Sequence, residues 1–128
     1  MTDQEFLTAF EHHSLPEFPH RSHIRMAWLY LRAGGWERGQ QQIRQGIQRF
    51  AAALGAQTKY HETITVFWAR IVHHAIECDP GIDDFDTFIE RYPFLLNGKL
   101  HLSHYSRDLI ASESARQGWV EPDLRPLP

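Results

Sequence analysis

The sequence predicts an all-α fold, a single-domain bundle of about five or six helices followed by an extended, proline-rich C-terminal tail. Three observations carry that prediction. Apolar residues recur at three- and four-residue intervals along three long stretches. Glycines, prolines and capping residues fall at the ends of those stretches. No alternating apolar and polar pattern is long enough to build a sheet, and no internal repeat is visible. At 128 residues the chain fits one domain, and a 42% hydrophobic, 23% charged composition supplies an ordinary core rather than a disordered segment.

Thr2 and Glu5 have the spacing of a capping box, and Phe6, Leu7 and Phe10 give the helix behind it an apolar stripe, so a first helix should run to His12 or His13. Pro16 and Pro19 end it. A second helix is expected over residues 20–33, where Ile24, Ala27, Trp28 and Leu31 share one face; Gly34 and Gly35 should terminate it. A third, over 36–54, carries Trp36, Ile43, Ile47, Phe50 and Leu54 on its inner side. Gly39 and Gly46 lie near that side, where they can admit a close neighbour. A fourth, over 59–78, places Ile64, Phe67, Trp68, Ile71, Ala75 and Cys78 in one arc, which makes Cys78 a core residue. On this count His74 borders the buried face and His73 lies outside it. A short capped helix is expected over 83–92. Residues 93–128 read as irregular, with short helices about 98–103 and 106–116 and a strap, WVEPDLRPLP, pinned by Trp119.

Composition narrows the function classes. One cysteine, Cys78, excludes an intramolecular disulfide and any zinc site built on several thiolates, and it fits a reducing, cytoplasmic setting. No apolar run reaches the roughly 18 residues of a membrane-spanning helix, and the opening segment has no signal-peptide pattern, so no membrane partner is expected. A net charge of −3 makes nucleic acid an unlikely partner. The charge is uneven: residues 21–59 hold seven cations against one anion, Glu37. The basic face of the helices over 21–49 offers an alternative reading, a non-catalytic interaction or regulatory module that docks an acidic partner or forms a homo-oligomer.

Nine histidines are the compositional anomaly. If short turns join the second, third and fourth helices, the second and fourth run parallel and share one N-terminal end. His20, His23, His61 and Glu62 should gather there, with His12 and His13 nearby; His74 belongs to the far end. Imidazoles with a carboxylate are a ligand set for zinc or iron, so His20, His23 and His61 are candidate metal ligands. The metal-free alternative makes His61 a general acid or base, with Glu62 and Tyr60 as its catalytic partners. Two helix N-termini, with Arg21, Arg25 and Lys59 beside them, should favour an anionic small molecule, and His20, His23 and Thr65 complete the expected binding set. Ser103, Ser106, Ser112 and Ser114 lack an activating motif.

The stretches HRSHIRMAWLYLR (20–32), KYHETIT (59–65) and ARQGWVEPDLRPLP (115–128) resemble a family of small, uncharacterised bacterial all-helical proteins. The resemblance implies bacterial origin and a shared pocket around His20, His23, His61 and Glu62, and it supplies no reaction.

Overall fold

The first helix, α1 (Asp3–Glu11), opens with the capping box its sequence predicts: the Thr2 hydroxyl accepts from the Glu5 N–H, and the Glu5 carboxylate accepts from the Thr2 N–H. The computed structural model describes residues 1–128 and has five further α-helices, which are α2 (His20–Ala53), α3 (Glu62–Cys78), α4 (Phe85–Arg91), α5 (Arg107–Ile110) and α6 (Glu113–Gln117). Short 3-10 turns lie at Gln57–Lys59, Pro93–Leu96 and Leu100–Ser103, and there are no strands. The all-α, single-bundle expectation is met. No helix is long and apolar enough to cross a membrane.

The span of α2 contains the second and third predicted helices, separated by a non-helical residue, Gly35, at φ 72° and ψ −171°. Few residues other than glycine occupy that backbone region, and the reversal there folds residues 36–53 back along residues 20–34. The return is close: a Cβ on Gly39 would stand 2.8 Å from the Leu31 Cα, and one on Gly46 would stand 2.7 Å from the Phe10 ring. Glycine at 39 thus lets the two arms approach at backbone distance, and glycine at 46 makes room for the Phe10 ring of α1, as their position on the inner face suggested. The α3 helix runs parallel to the first arm, with Trp68 beside His20 at one end and His73 beside Trp36 at the other.

The core lies between α2 and α3, where Ile24, Trp28, Phe67, Ala69 and Val72 are buried, and α4 closes one side with Phe85 and Phe88 against Trp28. Burial of each large apolar side chain contributes about 1.5–3 kcal/mol. Beyond α4 the chain holds itself by local caps. Ser106 accepts from the Leu109 N–H and Ser112 from the Ala115 N–H, which splits the single helix expected over 106–116 into α5 and α6. The tail is extended, as its prolines require, and it covers one flank of α3.

Three local expectations are corrected. The helix expected from Lys59 begins at Glu62, because residues 57–59 turn as a 3-10 segment and His61 is the N-cap. Cys78 is exposed in the last turn of α3, next to the exposed Glu77, instead of in the core. His73 and His74 exchange roles: His73 is half-buried under Trp36, whereas His74 is exposed with its Nε2 3.6 Å from the Cys78 Sγ.

Candidate functional site

The parallel placement of α3 and the first arm of α2 brings both N-termini to one end, and a cavity of about 510 Å³ opens between them. Its apolar wall comes from both arms of α2 and from α3, including Ile24, Ile43, Ile47, Phe50, Ile64 and Trp68. Its polar rim holds His20, His23, Lys59, Tyr60, His61 and His101. Thirteen of the twenty lining residues are apolar and none is an aspartate or glutamate, so the cavity is greasy with a basic and imidazole edge. That size and mixture fall in the range of small-molecule sites.

Each imidazole has a distinct commitment. The His20 Nε2 lies 2.8 Å from the Leu95 carbonyl oxygen, which can only accept, so this nitrogen carries the proton. With the Trp68 ring edge-on at 4.6 Å and Gly98 beyond it, the His20 ring is fixed and its Nδ1 lone pair has no protein donor. His61 is used at both nitrogens. Its Nδ1 accepts from the Ile64 N–H at 3.1 Å, capping α3, and its Nε2–H donates to the Ile110 carbonyl at 2.7 Å. His23 packs on Phe18, centroids 4.1 Å apart, and burial with the nearby His20 pulls its pKa down to about 4. His101 is likewise held below the usual imidazole value, by burial first and then by His61 and His20; its Nδ1 is buried without a partner.

Tyr60, Glu62 and Arg44 form a chain behind the rim. The Tyr60 hydroxyl donates to Glu62 Oε1 at 2.6 Å, and Arg44 Nη2 reaches Glu62 Oε2 at 2.7 Å. Burial and the Glu62 hydrogen bond push the Tyr60 phenol up to about 12, and the same carboxylate raises Arg44. Thr65 lines the cavity, but its hydroxyl donates to the His61 carbonyl at 2.8 Å.

His20, His23, His61, Lys59, Tyr60 and Thr65 therefore share one cavity; of the residues that the parallel-helix argument gathers at this end, the lining holds His20, His23 and His61 and not His12, His13 or Glu62. Three assignments change. His61 is a structural cap, and with neither nitrogen free it is unavailable as a general base. Glu62 lies outside the lining, tied to Arg44 and Tyr60. Arg21 and Arg25 turn outward to Asp86 at 2.6 Å and Asp3 at 2.8 Å, stacked over Phe85 and Phe6. The candidate zinc or iron set of His20, His23 and His61 does not converge: no three His, Cys, Asp or Glu side chains are grouped to hold an ion, and the doubly bonded His61 is the reason for this set. His12 and His13 are exposed and outside the cavity, although the His13 ring is 6.3 Å from Phe50.

Sequence reasoning missed His101 and Gly98. Both lie in a segment of short turns without helical period; the Asn97–Gly98 pair marks a turn, and nothing in its spacing says that the turn faces the paired helix ends. No protein-family model matches the chain, and no curated protein or solved structure is similar to it, so the family resemblance gains no support from these comparisons.

Proposed function

We propose that the protein binds a small organic molecule in the cavity between the α2 and α3 N-termini, as a ligand-binding protein or as an enzyme acting on that molecule. The observation that carries this reading is the cavity itself, a space of about 510 Å³ with an apolar wall and several convergent polar groups. His20 is the group best equipped for recognition or proton transfer. A backbone carbonyl orients one ring nitrogen and leaves the other as a lone pair at the cavity edge. The interaction-module alternative has less support, because Arg21, Arg25 and Arg44 of the basic stretch are already paired with carboxylates and Arg32 lies over Trp28.

The test is a thermal-shift screen of small organic molecules on the unmodified chain and on Ala51→Trp, which fills the cavity from a half-buried lining position. Binders should stabilise the unmodified protein and lose that effect in a folded Ala51→Trp variant. Absence of any binder, or equal binding by Ala51→Trp, overturns the proposal.

A further inference from the structure

We propose that the cavity accommodates an amphipathic organic anion, an apolar chain or ring bearing one carboxylate, with its head group at the Lys59 side of the rim. This rests on the cavity being a ligand site, as proposed above, and specifies what the ligand is.

The argument begins with charge. Lys59 is the only residue with a fixed formal charge in the lining, and no carboxylate opposes it. The nearest acid in sequence, Glu62, is held by Arg44 and Tyr60 behind the rim. A cation entering here would meet like charge and no counter-ion, and its desolvation would go uncompensated. A neutral apolar molecule would fill the wall but leave Lys59 without a counter-ion and the buried His101 Nδ1 without a partner. A carboxylate, which has acceptor sites on both oxygens, can take the Lys59 ammonium together with a proton on the unpartnered His101 Nδ1. The N-termini of α2 and α3 add partial positive charge at the same end.

The apolar part has its own support. Ile24, Ile43, Ile47 and Ile64 line the cavity, and Leu54, another lining residue, is 68% exposed, so the apolar lining reaches the protein surface. A chain too long for the cavity could leave along Leu54 without crossing a charged residue of the lining.

Anion entry also changes proton affinity at the rim. His23 and His101 resist protonation because they are buried near other imidazoles. Their charged surroundings are His20, His61, Lys59 and Tyr60 with the Glu62–Arg44 pair behind it; Arg21 and Arg25 are paired away. A carboxylate placed among them raises their proton affinity.

Isothermal titration of the full chain with octanoate, 2-naphthoate, octanol and octylamine, each below its micelle concentration, tests this. Octanoate should bind at least tenfold more tightly than octanol, and octylamine should not bind detectably. Lys59→Met keeps an apolar stem at an exposed position and should weaken both carboxylates at least tenfold while leaving octanol unchanged. If octanol matches octanoate, or Lys59→Met retains carboxylate affinity, the anion inference fails while the cavity remains a ligand site. If neither carboxylate binds and the thermal-shift screen finds other ligands, the anion inference again fails alone. If that screen is also empty, the underlying reading fails with it.

Discussion

His23 shows how a single residue couples the cavity to pH. Its ring is pressed against Phe18 and lies close enough to His20 to feel its charge, and no carboxylate lines the space it faces. Burial, reinforced by His20, lowers its pKa from 6.5 to about 4. In the unfolded chain the imidazole takes up a proton near its ordinary value, so between these two pH values the unfolded state holds more protons and stability falls as pH falls. Above pH 6.5 the effect is fully absent, and below pH 4 it has reached its limit. The loss attributable to His23 is at most about 3 kcal/mol, at 1.36 kcal/mol per pKa unit. Replacing it by leucine should remove this part of the acid limb. Urea unfolding at a series of pH values should then show His23→Leu gaining on the unmodified protein as the solution is acidified. A stability difference that stays constant with pH would show that His23 is not the source. His61 makes the opposite point, since both its nitrogens serve the backbone and its role is to fix where α3 begins.

At the level of elements, the α2 reversal determines whether there is a cavity at all. Gly35 alone carries the backbone conformation that turns the second arm back, and at φ 72°, ψ −171° an alanine is strained by about 1–3 kcal/mol. Gly39→Ala acts by a different route. Its Cβ would stand 2.8 Å from the Leu31 Cα, and backbone cannot rotate aside, so the arms must separate. We expect each variant to lose roughly 2 kcal/mol in chemical denaturation, with Gly39→Ala also changing the cavity between the arms; a neutral result at position 39 would contradict the close approach. These two glycines explain why so much of the bundle was legible. The periodicity of residues 20–54, the GG break and the two inner-face glycines each point to a helical hairpin, and those local signals agree with the tertiary packing. The site was legible only in part. His20, His23 and His61 were placed at one end by topology, but a helical wheel cannot show that His61 precedes the helix as its cap. Nor can it show that Arg21 and Arg25 find acidic partners 65 and 22 residues away in sequence. The turn carrying Gly98 and His101 has no periodicity from which a facing could be read.

Across the whole molecule, the irregular C-terminal third acts as the brace for α3, and Thr63 is where that brace is attached. Its side chain is completely buried, one residue into the helix that walls the cavity. The hydroxyl donates to the Gly118 carbonyl at 2.7 Å and accepts from the Val120 N–H at 3.1 Å, so one oxygen satisfies both backbone groups as the chain enters the strap. Neighbouring contacts make this a continuous seam. The Tyr105 hydroxyl donates to the Val120 carbonyl at 2.7 Å, and the His104 backbone carbonyl accepts from Leu124 at 2.9 Å. Further along, Arg70 of α3 lies over the Trp119 ring at 4.4 Å. Thr63→Val preserves the shape of the side chain and removes only the hydroxyl, leaving a buried carbonyl and amide without their partner. Each such group costs about 1–3 kcal/mol, so a combined loss of about 2–6 kcal/mol is expected, lowering the melting temperature by roughly 4 °C per kcal/mol. Thr63→Ser retains the hydroxyl and should recover most of the stability. Amide hydrogen exchange separates a detached strap from a generally weakened fold: in Thr63→Val the Val120 amide should lose protection before the amides in the middle of α3. If Thr63→Val is as stable as the unmodified chain with Val120 still protected, the strap is held by its apolar contacts, and the hydroxyl seam does not brace the cavity wall.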